Sequence, residues 1–198
     1  MADRSPFTVV IVCTGNVCRS PLTEQLLRSR FQAAGVPALV SSAGTDIVQG
    51  LVMPDEVVAQ SRRFGGDPTA HAPRALDAAV LREADLVLAA TREHRSAIAR
   101  ALPRAARYTF TIAQFARLVE SLPPIADPWD LVAEAAAERG AAAPPENPDD
   151  DDIEDPYRRG DEVYGRVGDR IAALVDTIAS RLIAPATGSG SAPFGDQA

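Results

Sequence analysis

Cys13-Thr14-Gly15-Asn16-Val17-Cys18-Arg19-Ser20 sets a thiol and a guanidinium on one short loop, and Pro21 opens the next segment. A β-branched run, Val10-Ile11-Val12, feeds the cysteine. Proline suits the opening turn of a helix, because its missing N–H is a donor that would be orphaned there anyway. The loop before it would aim several backbone N–H groups, and the positive end of the helix dipole, at one point. Such a nest binds a phosphate-like dianion and favours the thiolate of a cysteine lying beneath it. Arg19 adds a planar fork that grips two oxygens of the same group. The combination predicts nucleophilic attack on phosphorus.

The flanking sequence supplies the elements that would hold this loop. Residues 7–12 form an apolar run, as expected of a strand buried on both faces. Residues 21–34 read as a helix with Leu22, Leu26, Leu27 and Phe31 on one stripe, and Gly35 sits where a C-terminal cap belongs. Strands are expected at 38–42, 86–90 and 106–110. Helices are expected at 55–64, from 90 through 102, at 112–122 and at 161–182. Strands alternating with helices imply a parallel sheet covered on both faces, with ligands at the carboxyl ends of its strands. The expectation is an α/β fold: one three-layer domain over residues 7–183, built on a central four-stranded parallel sheet. Residues 1–6 read as a short tail. The Pro-rich and acidic stretch 123–152 reads as a mobile surface insertion holding a short helix at 131–139. Residues 184–198, rich in Gly, Ser and Pro, read as a disordered tail.

Composition narrows the partners. The 198 residues carry a formal net charge of −7, which argues against nucleic acid or an anionic membrane as the main partner. All 20 basic residues are arginine, a coding bias to which no mechanism attaches. No apolar run reaches membrane-spanning length, and no signal peptide is evident. Two cysteines five positions apart are no secreted disulfide framework, so a reducing cytoplasmic location is expected.

The loop 13–21, the Ser42-Ala43-Gly44-Thr45 turn, the stretch 84–88 followed by Thr91-Arg92-Glu93-His94, and a late Asp-Pro-Tyr together resemble the low-molecular-weight protein tyrosine phosphatase family, in a bacterial, actinobacterial-like form. The likeness spans roughly residues 7–182 apart from the insertion. It implies Cys13 as the nucleophile, forming a cysteinyl-phosphate that water hydrolyses, and Arg19 as the binder of the transferring phosphoryl group. Thr14, Gly15, Asn16, Val17, Cys18 and Ser20 complete the phosphate-binding loop. Asn16 is similar to the family asparagine that holds the loop in shape, through a network that would include Ser20, Ser42 and His71. Asn tolerates left-handed backbone, which suits it to such a place. Ser20 is also a candidate N-cap, and His71 an ordinary structural histidine. Cys18 is either a redox partner for Cys13, as in many relatives, or a packed thiol.

Two Asp-Pro-aromatic triplets compete for the general acid: Asp127-Pro128-Trp129 and Asp155-Pro156-Tyr157. Asp155 lies directly before the final helix, where the family pattern places the acid, and is preferred. Tyr157 would then wall the pocket on one side. Val48 stands where some relatives carry a tryptophan, and Arg158 where eukaryotic relatives often have a second tyrosine. The expected substrate is a phosphorylated protein or peptide, with inorganic phosphate released, no metal or other cofactor, and a monomeric enzyme. Thr14 matches a feature of bacterial protein-arginine phosphatases of the same fold, so that activity is the alternative. A thioredoxin-coupled arsenate reductase would need further cysteines after Cys18, and the chain has none. A non-catalytic phosphate-binding module would not need the thiol, the arginine and the acid together.

Overall fold

Along β1 (Phe7–Cys13) the side chains of Phe7, Val9 and Ile11 enter one apolar cluster, and those of Val10 and Val12 enter another. The two-residue period of a strand sends neighbours to opposite faces, so a strand covered on both sides must be apolar at both phases. With β2 (Ala38–Gly44), β3 (Leu86–Ala89) and β4 (Thr109–Thr111) it forms an all-parallel sheet in the order β2-β1-β3-β4. Val9 lies opposite Val40 on one side and Leu86 on the other. The structure, a computed structural model, describes residues 5–183. The tail expected from residue 184 onward lies outside the described residues, as does most of the one expected at 1–6.

The helices are α1 (Arg19–Ala33), α2 (Asp55–Arg63), α3 (Ala78–Glu83), α4 (Arg92–Ala101), α5 (Ile112–Ser121), α6 (Pro128–Glu138) and α7 (Asp161–Leu182). Residues of α1, α2, α5, α6 and α7 share the larger core with Val9, Ile11 and Leu88. Leu81 of α3 and Ile98 of α4 cover the opposite face with Val10, Val12 and Val87. The three-layer α/β architecture is therefore the expected one. Gly35 takes φ +67° and donates its N–H to Gln32 O, closing α1 as its position suggested.

Three local expectations need correction. Helix α1 begins at Arg19, so Pro21 occupies its third position, still among those whose N–H has no intrahelical acceptor. Ser20 is therefore inside the helix rather than at its N-cap, which is Cys18 and makes no side-chain cap. The strand expected at 106–110 begins only at Thr109, because Pro103–Tyr108 winds into a 3-10 turn with Pro103 presetting its first residue.

The third correction concerns the stretch read as a mobile insertion, which is built into the fold. Leu131 and Ala135 of α6 are fully buried in the larger core, and Trp129 meets Phe7 edge-on at 5.2 Å between ring centroids. Asp127 caps α6 by accepting the N–H groups of Trp129 (2.9 Å) and Asp130 (3.3 Å), with Pro128 at the first helical position.

The sheet order reverses between β1 and β3, which opens a crevice at their carboxyl ends. The loop 13–19 leaves β1 at that point, and the turn into α4 leaves β3 beside it. If α6 is structural as its burial indicates, Leu131→Ala lowers unfolding free energy by about 2–5 kcal/mol, read from urea denaturation. An unchanged midpoint would return α6 to the status of a surface appendage.

Candidate active site

The loop after β1 turns back over the sheet at Asn16, whose φ of 54° lies in the left-handed region. Asn16 is wholly buried, and each of its polar atoms outside the backbone N–H has a partner. Its Nδ2 donates to Ser20 Oγ (2.9 Å) and to Ser42 Oγ (2.7 Å), and its Oδ1 accepts the Arg74 N–H (3.0 Å). His71 Nε2 donates to the Asn16 carbonyl at 2.7 Å, so that nitrogen carries the ring proton. Ser42 Oγ donates its hydrogen bond to the carboxylate of Glu24, which also pairs with Arg28. The expected network of Asn16, Ser20, Ser42 and His71 is assembled, with Glu24 and Arg74 as members that no sequence pattern announced.

Ser20 Oγ lies 2.9 Å from Cys13 Sγ. Because that oxygen already accepts from Asn16, its proton is left to point at the sulfur. The far side of the loop is held by the chain after β2. Thr45 N–H donates to Cys13 O (2.9 Å) and Asp46 N–H to Thr14 O (3.1 Å). Gly44 makes this approach feasible, since a Cβ there would stand 2.4 Å from Thr14 O.

Arg19 is 5% exposed and its guanidinium is shared among three acceptors. Nη1 donates to Ile153 O at 3.1 Å, and Nη2 to Asp155 Oδ2 at 2.6 Å and Thr14 Oγ1 at 3.4 Å, while Nε has no hydrogen-bond partner among the described residues. A dianion taking the Nε–Nη2 edge with two oxygens therefore finds Nε open and displaces Asp155 from Nη2. Cys13, Thr14, Gly15, Val17, Cys18 and Arg19 line a cleft of about 180 Å³ together with Asp46, Val48, Leu51, Asp155 and Tyr157. Asp155 is about half exposed, with Oδ1 accepting the Tyr157 N–H at 3.2 Å. Arg158 lies over the Tyr157 ring at 5.2 Å. A larger hollow of about 510 Å³ along the outer edge of β2 is lined by neither cysteine nor histidine.

Of the two aspartates, only Asp155 reaches the cleft; Asp127 is the cap of α6. Cys13 and Cys18 are both free and buried. Burial, then the charges of Asp155 and Cys13, push the Cys18 thiol up to about 12 against the pull of Arg19, so it keeps its proton at neutral pH.

His94, in the sequence only the last residue of the stretch Thr91-Arg92-Glu93-His94, touches the loop. Thr91 Oγ1 accepts the His94 backbone N–H (3.3 Å) and lies 2.6 Å from Nδ1, while Nε2 lies 2.9 Å from Thr14 Oγ1. Thr91 donating to Nδ1 leaves the Nε2 proton to donate to Thr14. Burial, followed by the charge of Arg19, lowers His94 to about 4, only partly opposed by Asp155 and Asp152, so the ring is neutral at pH 7. Its signal in the sequence was faint: a lone histidine three residues after a helix-capping threonine.

The family model of low molecular weight phosphotyrosine protein phosphatase matches residues 8–138, a span that contains the loop 13–20 and ends before Asp155. The low molecular weight protein-tyrosine-phosphatase Etp of Escherichia coli K12 is 35% identical over 132 residues, covering 65% of this chain and 82% of that protein. A protein-arginine-phosphatase of Geobacillus stearothermophilus is 29% identical over 180 residues, covering 89% of this chain and 97% of that protein. Among solved structures, a low molecular weight protein tyrosine phosphatase from T. tengcongensis superposes with a TM-score of 0.68 at 28% identity, covering 89% of this chain and 99% of that one.

Gly44→Ala is expected to push the loop off its geometry and cut kcat/KM on an aryl phosphate by about 10²-fold without unfolding the protein; full activity would show that the close approach is dispensable. Because folding lowers His94, the unfolded chain binds its proton first as pH falls. Stability is then fully present above pH 6.5 and declines towards pH 4, by at most about 3 kcal/mol from this group. Comparing urea midpoints of wild type and His94→Asn across that window isolates the effect, and parallel pH dependences would refute it.

Proposed function

The chain belongs to the low molecular weight phosphotyrosine protein phosphatase family, and on that premise we propose that it hydrolyses phosphotyrosine in proteins or peptides through a cysteinyl-phosphate on Cys13. One observation carries the assignment of roles: Arg19 Nη2 and Asp155 Oδ2 meet at 2.6 Å in the cleft lined by Cys13. Phosphate binder and proton donor thus share one pocket with the nucleophile.

The entering dianion takes the Nε–Nη2 edge of Arg19 and the backbone N–H groups of the loop, and Asp155 is released from the guanidinium. Cys13 Sγ attacks phosphorus in line with the ester oxygen. The S–P bond forms as the P–O bond breaks, and Asp155, which takes up a proton from water once released from Arg19, delivers it to the departing phenolate oxygen. Arg19 and the loop N–H groups meet the charge on the equatorial oxygens in the transition state. Water then attacks the cysteinyl-phosphate while Asp155 accepts its proton. The S–P bond breaks, and the Ser20 hydroxyl hydrogen-bonds the returning thiolate. The products are the free phenol and inorganic phosphate. Tyr157, Val48 and Leu51 among the residues lining the cleft offer apolar surface suited to an aryl ring.

Hydrolysis of phosphoarginine is the second reading. It is favoured by Thr14 directly after the nucleophile, with His94 on its hydroxyl, and by the similarity to the G. stearothermophilus protein over most of both chains. In either reading the enzyme works as a cytoplasmic monomer, where its thiols stay reduced. Among the described residues no helix is long and apolar enough to cross a membrane.

Purified protein is expected to hydrolyse aryl phosphates in the presence of a chelator, and Cys13→Ser to abolish turnover. Asp155→Asn lowers turnover of a substrate with a poor leaving group by about 10²–10⁴-fold, whereas Asp127→Asn leaves turnover intact and costs at most about 1 kcal/mol of stability. The reverse pattern would move the acid to Asp127. Side-by-side rates on phosphotyrosine, phosphoarginine and phosphoserine peptides decide between the two substrate readings.

A further inference from the structure

The acidic run at 149–152 takes no direct part in phosphoryl transfer, yet arginines from three helices converge on it. Arg92, the first residue of α4, donates its backbone N–H to Asp152 Oδ1 at 2.7 Å and its Nη2 to Oδ2 at 2.9 Å, with Nε 3.2 Å from both oxygens. Its Nη2 also reaches Asp149 at 2.6 Å. Arg170 of α7 donates to Asp152 O at 2.8 Å and to the Asp150 carbonyl, and Arg117 of α5 reaches the Asp151 carboxylate at 3.3 Å. A carboxylate seated on a helix N-terminus and held by a guanidinium fork has its orientation as well as its charge fixed. Burial opposes ionisation of Asp152, but the hydrogen bonds from the Arg92 side chain and backbone outweigh it and hold the carboxyl below its ordinary value.

The residues after Asp152 connect this clamp to the cleft. Ile153 is buried; its N–H donates to Ala90 O at 2.9 Å, just past β3, and its carbonyl accepts Arg19 Nη1. Asp155 is two residues further on, a reach of about 7 Å of extended chain. Arg19 steadies Asp155, but a bound dianion competes for that guanidinium. The placement of the acid then rests on the Tyr157 N–H and on the backbone leading back to Asp152.

We propose that Arg92 is a positioning residue for proton transfer: by gripping Asp152 it fixes the segment 153–155 so that Asp155 meets the leaving atom. The proposal rests on Asp155 being the acid. It gives the acidic stretch a task in the reaction, that of a tether between the first turn of α4 and the proton donor.

The test uses the full chain and two substrates that differ in leaving group, p-nitrophenyl phosphate and phenyl phosphate. The variants are Arg92→Ala, Arg92→Lys, Asp152→Asn and Asp155→Asn. Arg92→Ala is expected to lose about tenfold or more in kcat/KM on phenyl phosphate and less than about threefold on p-nitrophenyl phosphate, whose departure needs little help from an acid. Inhibition by inorganic phosphate stays within about twofold, since Arg19 and the loop are untouched. Arg92→Lys keeps the charge without the fork and falls between. Asp152→Asn behaves as Arg92→Ala does, and the double variant is no worse than either. Equal losses on both substrates, or no loss on phenyl phosphate, overturn the proposal. Should Arg92→Ala fail to fold, Arg92→Lys and Asp152→Asn carry the same comparison. Asp155→Asn separates the two failures. If it shows no leaving-group dependence, the acid assignment falls and takes the proposal with it. If it shows that dependence and the Arg92 and Asp152 variants do not, the clamp alone is refuted.

Discussion

Asn16 is the constraint on which the site depends. It is buried, left-handed and hydrogen-bonded through both side-chain groups and its carbonyl. A buried polar group left without its partner costs about 1–3 kcal/mol, so each of those bonds penalises any other shape of the loop. The same bonds orient the catalytic atoms. Asn16 donates into Ser20, and Ser20 is thereby left to donate to Cys13. A structural residue and the chemistry of a thiolate are joined by one shared hydroxyl.

The second organising feature is a balance of charge around Arg19. A guanidinium buried to this degree is costly unless compensated, and Asp155 compensates it here. A phosphoryl dianion is a better partner than a carboxylate for the same edge, so binding exchanges one ion pair for another and frees the acid for proton transfer. The neutral state of His94 follows first from its burial and then from the same field, since a second cation beside Arg19 would be repelled. Arg19 also grips Ile153 O, so nucleophile loop and acid segment are tied at the residue that binds substrate.

Much of this was legible from residue type and order. The spacing from Cys13 to Arg19, the need for a left-handed residue at 16, and a strand apolar at both phases each follow from local chemistry. The choice of Asp155 over Asp127 came from its place before α7, but the physical reason lies elsewhere: Asp-Pro is also a helix-start signature, and Asp127 uses it as one. The misreadings share a cause. Pro and Asp in 123–152 suggested a mobile insertion, because composition reports how a segment is solvated and not what it can pack against or which arginines await it. Glu24, Arg74, His94 and Arg92 were given no role because a polar residue on a helix or loop carries no sign of the partner that tertiary structure brings to it.

The sequence by itself determined the reaction: a thiol, a guanidinium and a Gly-Asn loop between strand and helix admit little besides attack on phosphorus, since their chemistry acts over a few bonds. Tertiary structure decided which aspartate lines the cleft, which histidine holds Thr14, and which arginine grips the aspartate run. Those questions concern groups 60, 80 and 136 residues apart in the chain. Their meeting is set by the reversal of strand order between β1 and β3 and by helix packing around it, and no local pattern encodes such distances.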